Sequence, residues 1–129
     1  MTKPINIVSP NSWDSSDARF SVYVNESGAL AVSADKADAF ILEKTENESQ
    51  YKIKADGKGY LKVSDGGDSI TVSAVGDIFT VKLYAQNRYK IYTHDNRALV
   101  GSNNPERKPL VSIEAPSFST IQIFRFEQI

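Results

Sequence analysis

Cysteine is absent from all 129 residues. No disulfide framework holds this fold, and thiol chemistry and cysteine-ligated zinc are excluded. Histidine occurs once, at His94, and tryptophan once, at Trp13. No apolar run approaches the ~18 residues that a membrane helix needs. The opening stretch, Met1 to Trp13, carries no apolar core of the kind a signal peptide has. The expectation is a cytoplasmic protein without membrane insertion, with secretion by a non-classical route left open. Neither sign of charge prevails: 15 basic against 16 acidic side chains give a net −1, and the two signs are intermixed. A nucleic-acid partner wants a concentrated basic face, and a membrane anchor a polybasic cluster, so neither is expected. Strong helical periodicity is missing too. Two Asn-x-Ser sequons, at Asn25 and Asn47, sit in loop-like stretches; with no entry signal they read as chance matches.

What the chain does contain is repetition. Phe20 to Ser33, Tyr51 to Ser64 and Tyr89 to Ser102 align without a gap. Each starts on an aromatic residue. Two positions on comes Val22, Ile53 or Ile91, and ten positions on comes Leu30, Leu61 or Leu99. A serine follows three residues later. A second element, aromatic-x-apolar, recurs as Phe40-Ile41-Leu42, Phe79-Thr80-Val81 and Phe124-Arg125-Phe126. Two phased elements in three copies define one domain over residues 1–129, with repeats at about 20–44, 51–83 and 89–127 and an extra strand at 5–8.

Within each copy the pattern is β. Tyr51-Lys52-Ile53-Lys54 and Phe79-Thr80-Val81-Lys82-Leu83 alternate apolar and polar residues, so one face turns inward. Asn25 to Gly28, Asp56 to Gly59, Asp65 to Asp68 and His94 to Arg97 supply residues that tolerate positive φ, the mark of tight hairpin turns. Twelve strands are predicted: Ile5–Val8, Phe20–Val24, Leu30–Ala34, Phe40–Lys44, Tyr51–Ala55, Tyr60–Ser64, Ile70–Ala74, Phe79–Tyr84, Tyr89–Thr93, Ala98–Ser102, Leu110–Ala115 and Ile121–Gln128. Many short, evenly spaced strands mean a sandwich or a barrel. Three equivalent units favour an all-β barrel with threefold pseudo-symmetry, each unit giving two strands to the barrel and one hairpin to a cap. Only 10 positions separate Leu30 from Phe40, against 18 between Leu61 and Phe79. The first copy is therefore short of a strand, and Ile5–Val8 either supplies it or closes against the C-terminal strand.

This unit (aromatic-x-apolar, glycine turn, Ala/Tyr-Leu-x-x-Ser, then Phe-x-apolar) resembles the β-trefoil repeat of fascin-like proteins, hisactophilin and the amaranthin-type agglutinins. Gly57 to Leu61 is the best local match, and the resemblance covers about residues 20–126. It implies a β-trefoil that binds a ligand. The Gln-x-Trp motif of ricin-type lectins and the histidine-rich loops of hisactophilin are both missing.

Candidate chemistry is sparse. Ser102, His94 and Asp95 contain the residue types of a hydrolytic triad, yet neighbours in one hairpin turn rarely reach the required geometry. No catalysis is expected, and no cofactor or metal: Asp56, Asp65 and Asp68 lack calcium-loop spacing. Lys52, Lys54, Lys62, Lys82 and Lys90 fall on outward strand positions, either a solvated face or a patch for actin or another acidic partner. The third copy has the most unusual loops, His94 to Arg97 and Ser102 to Pro109. Amides and carboxylates beside an aromatic ring form the vocabulary of a sugar site. Tyr92, His94, Asp95, Asn96, Arg97, Asn103 and Asn104 are therefore the predicted ligand-binding residues. The favoured function is a non-catalytic, lectin-like module for a glycan or glycoprotein, an inference from fold-level resemblance. The alternative is a protein-binding β-trefoil: a protease inhibitor presenting one loop, or a fascin-like actin binder.

Overall fold

Strand-forming runs separated by glycine, asparagine and aspartate turns fold here into twelve strands. The computed structural model describes residues 3–9, 20–33, 35–101, 111–117 and 122–129. In chain order the strands are β1 (Ile5–Ser9), β2 (Phe20–Val24), β3 (Leu30–Ser33), β4 (Phe40–Lys44), β5 (Gln50–Ala55), β6 (Gly59–Val63), β7 (Ile70–Ser73), β8 (Ile78–Ala85), β9 (Arg88–Tyr92), β10 (Ala98–Val100), β11 (Ser112–Glu114) and β12 (Arg125–Gln128). Among the described residues there is no α-helix. Of the predicted strand ends, Ala34, Ser102, Leu110 and Ile121 lie outside the described residues.

Six strands close into a barrel. β1 pairs with β4 through Ile5–Phe40, β4 with β5 from Phe40–Ala55 to Lys44–Tyr51, and β5 with β8 from Gln50–Thr80 to Lys52–Ile78. β8 pairs with β9, and a bridge between Tyr89 and Phe124 carries β9 to the last strand. β12 then returns to β1 from Ile5–Gln128 to Val8–Arg125, so the barrel has no first or last edge. The hairpins β2–β3, β6–β7 and β10–β11 stand off this ring. They are tied to one another. Val72 N–H donates to Gly28 O at 3.1 Å, Val111 N–H to Leu30 O at 2.9 Å, and Ser69 bridges Ser112. Six barrel strands under three mutually linked hairpins make a β-trefoil.

Register identifies which residues are equivalent. Ile5–Phe40, Tyr51–Phe79 and Tyr89–Phe124 are the corresponding barrel pairs. All three phenylalanines are buried, at 0%, 0% and 1% exposure. Ile7, Ile53 and Ile91 follow two residues after the first member of each pair, and all three are buried. In the cap, Val22–Val32, Leu61–Val72 and Leu99–Ile113 face each other across the hairpins. The central cavity between barrel and cap measures about 10 Å³ and is lined by Ile7, Val22, Leu30, Leu61, Ile91, Leu99, Val111 and Phe124. An apolar void of that size stays dry.

The first unit runs differently from the gapless alignment. By pairing, β1 is the counterpart of β5 and β9, so the unit spans Ile5–Lys44 and Phe20–Ser33 is its cap hairpin. Leu30 is thus the counterpart of Ile70 and Val111, and Val22 that of Leu61 and Leu99. The alignment slipped because any inward-facing hairpin repeats apolar residues at the same spacing, and the two hairpin types differ only in tertiary partners.

Two of the units share a device that depends on contacts across the fold. Asp38 and Asp77 each stand two residues before a core phenylalanine. Asp38 Oδ2 accepts the Val24 N–H at 2.7 Å, and Asp77 Oδ2 accepts the Val63 N–H at 2.9 Å. Their own N–H groups return to Val22 O and Leu61 O. Each aspartate therefore staples the entry to a barrel strand against its cap hairpin. Gln122 holds the place in the third unit, fully buried, with Oε1 accepting from Ser117 N–H and Nε2 donating to Ala115 O.

Two outcomes test this architecture. Leu61→Ala removes a buried cap residue and is expected to cost about 2–5 kcal/mol, while Val75→Ala, at 73% exposure, changes stability by less than about 0.5 kcal/mol; equal denaturation midpoints for both variants would contradict the core. Removing residues 1–12 takes away β1, which pairs with three strands, and should abolish the cooperative thermal transition followed by circular dichroism.

Candidate functional site

The predicted third-repeat site lies on the turn between β9 and β10. Asn96 adopts φ of 64°, a left-handed conformation that asparagine tolerates, and its N–H donates to Thr93 O at 3.0 Å. Arg97 N–H donates to the Thr93 hydroxyl oxygen, and that hydroxyl donates to Asp95 Oδ1. Arg97 Nε meets Asp95 Oδ2 at 2.8 Å, and Arg97 Nη1 reaches across to Gly67 O at 2.6 Å in the β6–β7 turn. The structure thus brings Asp95 and Arg97 together and uses both to fix the turn and tie unit three to unit two. Tyr92 is half-buried on β9 with Lys82 Nζ 5.5 Å from its ring centre, and His94 is exposed. Asn103 and Asn104 lie outside the described residues, as do Ser102 and the rest of the loop to Pro109.

The Thr93 hydroxyl holds the Asp95 carboxyl below its ordinary range; partial desolvation opposes this, and Arg97 lowers it further. A depressed folded value means the clasp contributes stability above the ordinary carboxylate range and loses it as pH falls through the lowered value.

A second site was not foreseen. The end of β2 and the approach to β4 enclose an open cleft of about 590 Å³ lined by Tyr23, Asn25, Glu26, Asp35, Lys36, Asp38 and Lys58. Lys58 comes from the β5–β6 turn of unit two, where Gly57 and Gly59 have φ of 75° and 134°. Its Nζ meets Asp38 Oδ2 at 2.9 Å and lies 3.4 Å from Val24 O. Asp38 thus carries two loads, the Val24 N–H and the Lys58 ammonium, and shapes the cleft floor. Asn25 Oδ1 accepts from Ser27 and Ala29 N–H, which holds the rim, and Lys36 Nζ lies 5.7 Å from the Tyr23 ring centre.

Register sets this cleft apart from its counterparts. The position of Tyr23 is held by Lys62 in unit two and Val100 in unit three. A hollow beside the matching stretch of unit two, about 400 Å³, is lined by Lys62, Ser64, Asp65, Thr71 and Ser73 on the β7 side, does not reach Asp77, and contains no aromatic ring. Of these two hollows, the first offers an aromatic wall together with carboxylates, an amide and ammonium groups. The one sequence signal that could have found it was Asp-x-Phe, repeated at Asp38-Ala39-Phe40 and Asp77-Ile78-Phe79.

Among the described residues, no group of three His, Asp or Glu side chains is placed to hold a metal ion. Of the five lysines read as a patch, Lys52 and Lys82 are exposed, whereas Lys90 is buried on the outward side of β9 with Nζ 2.8 Å from Ser117 O.

No protein-family model and no curated protein matches the chain. Solved structures do. A designed threefold-symmetric protein, ThreeFoil, shares the fold with a TM-score of 0.73 at 17% identity, covering 98% of this chain and 99% of that one. A Polyporus squamosus lectin, solved bound to the epitope Neu5Acα2-6Galβ1-4GlcNAc, matches with a TM-score of 0.71 at 10% identity over 98% of this chain and 49% of its own. A GH43 β-1,3-galactosidase matches with a TM-score of 0.74 at 15% identity, over 96% of this chain and 26% of that enzyme. At these identities the likeness is one of fold.

The turn predicts its own titration. In a carboxyl NMR titration, Asp95 should protonate below the ordinary aspartate value, and Thr93→Val should move that midpoint upward; an unchanged midpoint would remove the hydroxyl as the cause.

Proposed function

We propose that this chain is a non-catalytic carbohydrate-binding module whose sugar sits in the first-repeat cleft. One observation carries the reading: a single open hollow combines the Tyr23 ring with both donors and acceptors, from Asn25, Glu26, Asp35, Lys36 and Lys58. A sugar ring presents apolar C–H faces and a rim of hydroxyls that both donate and accept. An aromatic face and mixed polar groups meet both needs. The charges in the cleft are of both signs, which suits a ligand of many hydroxyls better than a simple ion. Lys36 lies over the ring, but an exposed cation–π contact is worth only ~0.5–1 kcal/mol, so a ligand can displace it. The lectin among the structural neighbours, and the agglutinins that the repeat resembles, support the same direction.

The third-repeat turn is the alternative place for the same function: His94 is exposed and Tyr92 half-buried there, and Asp95, Asn96 and Arg97 would contribute through the shape they hold.

Binding of the labelled protein to a broad glycan array separates these ideas. Wild type is expected to bind, and Tyr23→Ala to weaken binding about tenfold, from loss of an aromatic contact worth ~0.5–1.5 kcal/mol together with its neighbours. His94→Ala should leave it unchanged. Loss with His94→Ala and not with Tyr23→Ala moves the site to the third repeat, while silence of the wild type across the array sinks the carbohydrate reading.

A further inference from the structure

We propose that the glycan taken by the first-repeat cleft carries a free amine, which seats its ammonium on the Tyr23 ring with Glu26 and Asp35 as its anionic partners. The inference rests on the carbohydrate reading of that cleft and narrows it to one class of sugar.

The groups lining the cleft are engaged unequally. Lys58 Nζ lies 2.9 Å from Asp38 Oδ2 and 3.4 Å from Val24 O, so its charge is matched within the protein. The Asp38 side chain is only 16% exposed, and the same oxygen accepts the Val24 N–H. Asn25 Oδ1 accepts from Ser27 N–H, Ser27 Oγ and Ala29 N–H, so its amide retains only the NH2 donor for a ligand. Glu26 and Asp35 differ from these. Both are exposed on the cleft, and among the described residues neither carboxylate has a hydrogen-bond or ion-pair partner. With Asp38 and Lys58 matched to each other, Glu26 and Asp35 stand against Lys36 alone, and the cleft is anionic.

The position of Lys36 is the second observation. Its Nζ lies 5.7 Å from the Tyr23 ring centre. The face of an aromatic ring is its negative side, and here it already carries an ammonium. Lys36 is exposed, and among the described residues it makes no ion pair, so the contact is open to exchange. A ligand with its own ammonium replaces one cation by another on the ring. It releases Lys36 to water and gains the two carboxylates. An ammonium donates three hydrogen bonds and accepts none, which matches a wall whose unengaged carboxylates are acceptors. A neutral sugar leaves both carboxylates as they were, and an acidic sugar meets them as like charges. The Asn25 amide and Lys58 remain for the hydroxyls of the same sugar. In unit two the register position of Tyr23 is held by Lys62, so that surface offers an ammonium no such seat.

The test titrates the full chain by isothermal calorimetry at about pH 6, where amines are protonated. The probes are three trimers of one β1-4 backbone: glucosamine, N-acetylglucosamine and glucose. The glucosamine trimer is expected to bind about tenfold or more tighter than the other two, and more weakly as salt rises. The double variant Glu26→Gln/Asp35→Asn should bring it down to the level of the neutral trimers, with the thermal transition retained. Lys36→Ala should bind it about two- to fivefold more tightly, because the internal competitor for the ring is gone. Equal binding of all three trimers, weakened by Tyr23→Ala, overturns the amine class and leaves the carbohydrate reading standing. Tighter binding of a sialylated trisaccharide than of the glucosamine trimer overturns it as well. Spermidine binding as tightly as the glucosamine trimer keeps the ammonium seat but overturns the sugar. No saturation by millimolar glucosamine trimer overturns the proposal, and silence across the glycan array as well removes the carbohydrate reading with it.

Discussion

Closure of the barrel by β1 against β12 is the constraint on which the other features rest. An open six-stranded sheet leaves two rows of unpaired N–H and C=O groups, and here Ile5–Ser9 removes both by pairing with β12 on one side and β4 on the other. Once the ring is closed, the side-chain alternation of every barrel strand has a single inside. Phe40, Phe79 and Phe124 are driven to it together and meet the cap residues Val22, Leu61 and Leu99 above them. The cap depends on the ring in turn, because its three hairpins are linked to each other only where the barrel strands deliver them side by side.

Threefold repetition supplies stability, and departures from it supply chemistry. Asp38 and Asp77 perform the same backbone duty in two units, but only Asp38 has a lysine from the next unit at 2.9 Å. Only the first unit places a tyrosine beside that aspartate. Unit three replaces the carboxylate with Gln122 and turns inward to hold its own loop at Ala115 and Ser117. The polar residues of its β9–β10 turn are likewise drawn into a clasp with Gly67. Equal backbone frames therefore carry unequal surfaces.

The cleft lies at one end of the barrel strands. β5 runs from the Glu46–Ser49 turn toward Lys58 and the cleft. The cleft is walled by turns whose side chains are braced by Asp38 and Asn25. Pre-organised hollows suit small ligands.

Alternation of apolar residues and glycine-bearing turns made twelve strands legible from the amino-acid order, and β2 and β4 fall on the predicted residues, Phe20–Val24 and Phe40–Lys44. The three buried phenylalanines were legible as well, since aromatic-x-apolar recurs in phase with the turns. Those features are local: period two and turn propensity act within a few residues. Which hairpin belongs to the barrel and which to the cap is not local: Phe20–Ser33 aligns with Tyr51–Ser64 in sequence, and only strand pairing distinguishes them. The same holds for chemistry. Asp95 and Arg97 looked like free polar groups in the chain, and only folding brings Gly67, thirty residues away, to Arg97. The cleft needs Tyr23, Asp38 and Lys58 from three separate turns and strands, a juxtaposition that no window of sequence contains and that barrel closure alone creates.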